Sequence, residues 1–275
     1  SGNDDFISIS SDKDAQPGSY NVKVDALAQA HKLSSPAFAA DEAIGAGVIT
    51  IGSGTNSFST VLSATNTLED LRDQINNGPF TGSDSNDSVV ATIITSDTGQ
   101  HLVLTSKETG EDNAITITVQ DDDGNNTDTG GLSRLAYDVS DADPVNHTTN
   151  LTQVNAAQNA QITIDGTLTV SSNTNEFTNV IDGVDITAKK LHATDDDLSD
   201  ISVTENNNNI KTGLNNFISS YNELLELSNN LGASGEGGVG VMAGDSLLRG
   251  VMSKLRSEIT ESVDLGDGNS LSLSQ

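Results

Sequence analysis

Cysteine and tryptophan are both absent from this sequence of 275 residues, and aromatic side chains are scarce, with six phenylalanines and three tyrosines. Without cysteine the chain has neither disulfide bonds nor thiolate metal sites. Without many aromatic groups, its hydrophobic cores must consist mainly of Val, Ile, Leu and Ala side chains. We therefore expect thin cores that depend on many aliphatic residues.

Positive charge is also scarce. Lys and Arg number 12 against 40 Asp and Glu, which gives a net charge of −28. Nucleic acids and anionic membrane surfaces require clustered basic residues, so both classes of partner are excluded. No apolar run approaches the roughly 18 residues of a membrane-spanning helix, so membrane insertion is not expected. Residues 1–10 lack the basic and apolar regions of a signal peptide, and the abrupt ends favour a piece of a longer protein.

The first two thirds of the sequence predict β-structure. Apolar residues recur at every second position from Tyr20 to Ala30, which favours a strand over the helix that the alanines alone would suggest. Further strands are predicted at 45–51, 89–95, 102–105, 114–119, 184–188 and 201–203. Residues 120–150 are polar and are interpreted as a loop, with a domain boundary near 150.

One short helix is predicted at 67–77. Thr67 is its expected N-cap, Asp70 completes a variant of the capping box, and Gly78 followed by Pro79 ends it. One face of this helix carries its apolar residues, which are Leu68, Leu71 and Ile75.

Two Ile-Asp-Gly segments, at 164–166 and 181–183, are flanked by alternating apolar residues. Asp165 and Gly166 suit a type I′ turn, because both central residues of that turn need positive φ. The first segment therefore predicts a β-hairpin, and the second lies beside the strand expected at 184–188.

The last part of the sequence predicts two helices joined by a Gly-rich link. The first helix carries a heptad stripe, with apolar residues spaced alternately four and three apart. The stripe consists of Ile210, Leu214, Phe217, Tyr221, Leu224, the polar Ser228, and Leu231. The second helix begins at 244–246 with Asp245 or Ser246 as its cap, and its apolar face consists of Leu248, Val251, Met252, Leu255, Ile259 and Val263. The whole chain is thus predicted to be an α+β protein, a β-rich region followed by a helical hairpin.

Candidate chemical sites are weak. The acidic run Asp121–Asp128 resembles a calcium loop, but its glycine is at the fourth position and Leu132 stands where an EF-hand has Glu. Asp195–Asp197 is a second acidic cluster. For both clusters an ordinary solvated loop is expected rather than a calcium site. The segment 235–240 matches G-x-G-x-x-G but follows a helix rather than a strand, so a flexible linker is expected.

The four histidines, His31, His101, His147 and His192, lie in separate segments with no metal-ligand spacing, and surface or edge positions are expected. We predict no catalytic residue, no metal site and no cofactor. The protein is therefore not expected to be an enzyme.

Six segments occur in the order found in one known family: "GSYNVKVDALAQAHKLSSPAF", "NTLEDLRDQIN", "LVLTSKETGEDNAITITV", "ITIDGTLTVSSNTNEFTNVIDGVDIT", "NNFISSYNELLEL" and "MAGDSLLRGVMSKLRSEI". Together they make the chain resemble the bacterial flagellar filament cap family, also called hook-associated protein 2. The terminal helices of a full-length member are missing at both ends, which agrees with a piece of a longer protein.

The resemblance implies nested domains. One β-rich head domain would combine 1–40 with 150–206, a second would be inserted as 41–149, and a partial helical leg domain would span 207–275. It also implies a leg core in which the stripe of the first helix packs on the second helix and on the missing terminal helices. The residues expected in that core are Ile210, Leu214, Phe217, Tyr221, Leu224, Leu248, Val251, Leu255 and Ile259.

Members of this family assemble as a ring at the tip of the growing filament, so the resemblance implies that this chain forms a ring of about five copies and has flagellin as its other partner. It would reach the cell exterior through the flagellar export channel without a cleaved signal peptide. The alternative is an extracellular, calcium-dependent β-rich adhesion module. The predicted helical hairpin favours the cap family over this alternative, because adhesion modules arranged in tandem do not need a helix with a heptad stripe.

Overall fold

The computed structural model describes residues 5–81, 85–193, 198–205, 208–232, 234–235, 238–239, 241, 245–264 and 270–271. The chain divides into two compact units, Ser1–Thr204 and Glu205–Gln275. Strands dominate the first unit and helices the second. The predicted α+β class is confirmed.

The strands of the first unit are short and follow one another closely along the chain. In chain order they are β1 (Ile7–Ser11), β2 (Gly18–Ala26), β3 (Ala30–Ser34), β4 (Gly47–Ser53), β5 (Asn56–Leu62), β6 (Val89–Ser96), β7 (Gly99–Thr109), β8 (Ile115–Asp121), β9 (Tyr137–Asp138), β10 (Thr148–Thr149), β11 (Thr152–Asn155), β12 (Ala160–Ile164), β13 (Leu168–Ser172), β14 (Glu176–Ile181), β15 (Val184–Ala188) and β16 (Ser199–Val203). Helix α1 (Leu68–Asn77) lies between β5 and β6.

Residues from 30 to 155 form what we call the inner lobe. A five-stranded sheet, in the order β10-β9-β8-β4-β5, and a four-stranded sheet, in the order β11-β3-β7-β6, share one hydrophobic core. The core runs from Leu33 to Leu151 and includes the apolar face of α1. The inner lobe is therefore a two-sheet structure, and α1 packs on β6 and β7.

The outer lobe consists of residues 5–28 and 160–203. A three-stranded sheet, β1-β15-β14, and a four-stranded sheet, β13-β12-β2-β16, enclose a second hydrophobic core. Phe6 and Phe177 are the only aromatic side chains buried among the described residues of this core, which is otherwise aliphatic. The outer lobe is thus built from two distant chain segments that flank the inner lobe in the sequence.

A seam of hydrogen bonds, most of them between backbone groups, joins the two lobes. Gln29 and Gln158 pair as an isolated β-bridge, with N···O distances of 2.9 and 3.2 Å. The N–H of Gly110 donates to the Gln29 carbonyl at 3.2 Å, and the Thr109 hydroxyl donates to the Asn173 carbonyl at 2.7 Å. The chain crosses between the lobes at Gln29 and again at Gln158.

The structure contains the helix cap and the hairpin turn that the sequence predicts. Thr67 caps α1, and a full capping box with Asp70 is present. The N–H of Thr67 donates to the Asp70 carboxylate and lowers the pKa of that group. Asp165 and Gly166 have φ of +48° and +67°, as the hairpin turn between β12 and β13 requires.

The loop predicted at 120–150 is partly wrong. A short 3₁₀ helix at Gly131–Leu135 and strand β9 bury Leu132, Leu135 and Tyr137 in the inner core. These residues form one short apolar group within a long polar segment, too short to show a helical or strand period. Strands β5 and β14 were also not predicted, because Ser, Thr and Asn interrupt their apolar residues.

The second unit contains helices α2 (Asn208–Gly232) and α3 (Ser246–Thr260). The unit also contains two antiparallel pairs of short strands, each strand two residues long. They are β17 (Ser234–Gly235) with β18 (Gly238–Val239) and β19 (Val263–Asp264) with β20 (Ser270–Leu271). The Gly-rich link is therefore not a featureless linker, since it holds the β17–β18 ladder. Val263, predicted on the face of the second helix, lies in β19 after α3 has ended.

Candidate functional site

The helical hairpin carries the residues predicted to form the leg core. Asp245 accepts a 2.6 Å hydrogen bond from the Leu247 N–H at the start of α3, as an N-cap does. In the C-terminal half of α2, the stripe residues Tyr221, Leu224 and Leu231 are half-buried. On α3, Leu255 and Ile259 are half-buried and Met252 is buried. Part of the stripe thus packs between the two helices.

The N-terminal half of the stripe is open to solvent. The exposed fraction of Ile210 is 70%, that of Leu214 is 45% and that of Phe217 is 42%. On α3, Val251 is 51% exposed, and Leu248 lies on the helix with its side chain outside the described residues. The rings of Phe217 and Tyr221 stack with centroids 6.4 Å apart.

Other apolar residues of the hairpin are exposed beyond the predicted stripe. They are Ile218, Leu227 and Leu247. A shallow groove of about 290 Å³ lies between the helices and is lined by Leu224, Val251, Lys254, Leu255 and Glu258. Ile218 and Leu227 lie on α2, which is apolar on more than one side, so a single heptad stripe did not include them, and Leu247 lies in the first turn of α3.

The carboxylates of the acidic run Asp121–Asp128 accept hydrogen bonds from backbone N–H groups of nearby residues. Asp121 accepts hydrogen bonds from the N–H and the hydroxyl of Ser133, at 2.9 and 3.2 Å. Asp123 accepts from the Asn125 N–H at 2.8 Å and Asp128 from the Gly130 N–H at 2.9 Å. Within the described ranges no group of three or more His, Asp or Glu side chains is arranged to hold a metal ion. Asp195–Asp197 lies outside those ranges.

The prediction that the histidines occupy surface or edge positions is wrong for two of them. His31 is 2% exposed and His192 is 7% exposed. Each accepts a backbone N–H through Nδ1 at 2.8 Å, from Ile115 and Val24 respectively. These donors lie far from the histidines along the chain, so no local sequence signal reveals the burial. His101 and His147 are half-buried.

Comparison with known proteins identifies one family. The family model described as "Flagellar hook-associated protein 2 C-terminus" matches residues 157–275. The B-type flagellar hook-associated protein 2 of Pseudomonas aeruginosa PAO1 is 31% identical over 98% of this chain and 57% of that protein. The A-type protein of Pseudomonas aeruginosa is 28% identical over 93% of this chain and 54% of its own length. The chain therefore spans little more than half the length of these relatives.

Solved structures agree with the sequence comparisons. The crystal structure of FliD (HAP2) from Pseudomonas aeruginosa PAO1 superposes with a TM-score of 0.64 at 29% identity, over 85% of this chain and all of that one. The D2-D3 domains of the flagellar cap protein FliD from Serratia marcescens give a TM-score of 0.56 at 27% identity, over 73% of this chain. Among the described helices, none has the length and apolarity needed to cross a membrane. The chain belongs to the flagellar hook-associated protein 2 family, the FliD cap proteins.

Proposed function

We propose that this protein is a structural subunit of the cap at the distal end of a bacterial flagellar filament. It assembles with copies of itself, about five as expected for the family, and helps exported flagellin subunits to fold into place. The similarity to the B-type hook-associated protein 2, which extends over 98% of the chain, is the observation that carries this proposal. The protein acts outside the cell after export through the flagellar channel, and its role is assembly rather than catalysis.

We also propose a domain division that rests on the two hydrophobic cores. The outer lobe would be one head domain and the inner lobe a second head domain inserted into it. Strand β3 pairs with β7 and β11 of the inner lobe, which supports a division at Gln29 and Gln158 in place of the boundaries expected near residues 40 and 150. The helical leg would begin after Thr204, where the first compact unit ends.

The open half of the α2 stripe supports a proposal about the leg. Exposed side chains such as Ile210, Leu214 and Phe217 form an apolar row along one helix, and monomeric proteins rarely leave such rows uncovered. The relatives are nearly twice as long as this chain. We propose that helices of the remaining protein cover this row and complete the leg core predicted from the sequence.

Complementation tests the proposed function. A strain that lacks its own cap gene and is non-motile receives the full-length gene, and filaments, swimming and flagellin lost to the medium are scored. We expect filaments to return and free flagellin to fall. Failure of a well-expressed and exported full-length protein to restore filaments would contradict the cap function.

Paired variants of the same gene test the leg. Phe217→Asp places a charge on the exposed apolar row, and Asn216→Asp places the same charge on the adjacent residue of the helix. We expect Phe217→Asp to abolish complementation and Asn216→Asp to retain it. Equal activity of the two variants would contradict the leg packing while leaving the cap function standing.

A further inference from the structure

His31 occupies an unusual position in the inner lobe. It lies in β3, is 2% exposed, and its Nδ1 is 2.8 Å from the backbone nitrogen of Ile115. A backbone N–H can only donate, so Nδ1 must accept and must carry no proton. The ring is therefore neutral, with its single proton on Nε2.

The same ring connects the two sheets of the lobe. Its Nε2 lies 3.4 Å from Oε1 of Gln153, and the Tyr137 hydroxyl donates to that same oxygen at 2.9 Å. His31 and Gln153 belong to the four-stranded sheet, in β3 and β11, whereas Ile115 and Tyr137 belong to the five-stranded sheet, in β8 and β9. The imidazole and the Gln153 amide thus form a polar bridge between the two sheets that share the hydrophobic core.

The surroundings of the ring offer little to stabilise a positive charge. The structure places Ser106 of β7, Ile115 of β8, Tyr137 of β9 and Gln153 of β11 against His31. Tyr137 is the one titratable group among them, and burial raises its own pKa. No carboxylate within the described ranges contacts the ring, and burial lowers the pKa of His31.

We propose that His31 is an acid-sensitive latch between the two sheets of the inner lobe. Protonation would place a hydrogen on Nδ1, directed at the N–H of Ile115, so that two donors face each other and the bridge opens. This inference concerns the lobe itself and does not depend on the proposed cap function.

The direction of the pH effect follows from proton binding. The pKa of His31 is lower in the folded protein than in the unfolded chain, where it is about 6.5. Between these two values the unfolded chain binds more protons, so stability falls as the pH falls. The neutral latch contributes its full stability above about pH 6.5. Below that value the folding equilibrium constant falls by up to about tenfold per pH unit, until the pH reaches the pKa of folded His31, where the bridge itself opens.

Urea unfolding from about pH 8 to about pH 5 tests the latch in the 275-residue protein and in His31→Asn. Asn offers an oxygen near the position of Nδ1 but does not titrate. We expect the stability difference between the parent and the variant to change in the parent's disfavour as the pH falls below about 6.5. His192 and the carboxylates are present in both proteins, so their contributions cancel.

His101→Asn is the matched control, since His101 lies in the same lobe. Its Nδ1 is 2.8 Å from the Ser35 carbonyl, which only accepts, so Nδ1 donates in both charge states. Because His31 is intact in this variant, it should retain the acid-dependent loss of stability that is expected from the latch. A His31→Asn profile parallel to that of the parent would overturn the latch.

Ring NMR keeps the proposal testable if His31→Asn folds poorly. In the parent protein we expect the His31 ring to be the Nε2–H tautomer near pH 8, and to titrate below about 6.5 together with shifts at Ile115 and Tyr137. A proton on Nδ1, or titration above that value, would also overturn the proposal.

Discussion

Gly110 and Asn173 are in direct contact across the seam between the inner and outer lobes. A Cβ atom at Gly110 would lie 2.6 Å from the Cβ and 2.8 Å from the Cα of Asn173. Gly110 also has φ of +100° and ψ of +153°, a region that only glycine adopts readily. The absence of a side chain at this position therefore lets the two lobes approach closely.

Gly110→Ala should destabilise the first unit by roughly 2–4 kcal/mol, through backbone strain and the clash with Asn173. Gly124→Ala is the matched control, because Gly124 has φ of +87° but a Cβ atom at this position would meet no other atom within 4 Å. It should cost about 1 kcal/mol from strain alone. Urea unfolding measures both, and equal losses would mean that the contact at the seam carries no energy.

Thr67→Ala should lower the stability of the first unit by about 1 kcal/mol, because it removes the side-chain half of the capping box on α1. Thr65→Ala, two residues earlier, keeps the cap and should have little effect. Thermal unfolding followed by circular dichroism compares the two variants. A cost at Thr65 as large as that at Thr67 would show that the cap is not the source.

Asn76 of α1 occupies the open hydrogen-bonding positions of an edge strand. Its side-chain amide donates to the Ala91 carbonyl at 2.8 Å and accepts from the Ala91 N–H at 3.0 Å, in the manner of a neighbouring strand. Asn86 does the same for Val89, at 2.7 and 2.9 Å. Strand β6 is an edge strand, and unpaired edges invite association with other chains.

Asn76→Ala should therefore promote concentration-dependent self-association, since it frees both backbone groups of Ala91. Asn77→Ala changes an adjacent exposed residue of α1 and should leave the mass in solution unchanged. Analytical ultracentrifugation of the two variants beside the parent measures the effect. An unchanged mass for Asn76→Ala, even with a lower melting temperature, would exclude a protective role for the amide.

Sequence reasoning succeeded where the determining contacts are local. The cap of α1 depends on Thr67 and Asp70, three residues apart, and the β12–β13 turn depends on adjacent Asp165 and Gly166. The helical hairpin was also predictable, because its apolar spacing repeats over several turns.

Features fixed by distant contacts could not be predicted. His31 is buried because Ile115, 84 residues later, donates to it. Leu132 and Tyr137 enter the inner core from a polar segment with no periodicity. Exposure along α2 was equally hidden, because an apolar stripe indicates that a face will be covered but does not indicate which element covers it.

Phe217→Ala compares the helical hairpin of this chain with the leg proposed for the full-length protein. With Phe217 42% exposed, truncation should cost only about 1 kcal/mol in the 275-residue chain. If further helices cover the ring in the longer protein, the cost there should rise to roughly 3–5 kcal/mol. Asn216→Ala is the control in both lengths, and melting curves that show the same small loss for Phe217→Ala in both would contradict the added packing.

Self-assembly of the full-length protein should strengthen with salt. Each copy of this region carries a net charge of −28, so copies that meet in the proposed ring would repel one another at low ionic strength. Raising NaCl from about 0.02 M to about 0.5 M shortens the screening length from tens of ångströms to a few, and the apparent association constant should increase. Light scattering or ultracentrifugation measures the association constant.

CaCl₂ at the same ionic strength is the control. Screening predicts that it has nearly the same effect as NaCl, whereas a large extra gain in association with calcium would favour the adhesion-module alternative. Weaker association at high salt would show that ion pairs, rather than apolar contacts, hold the copies together.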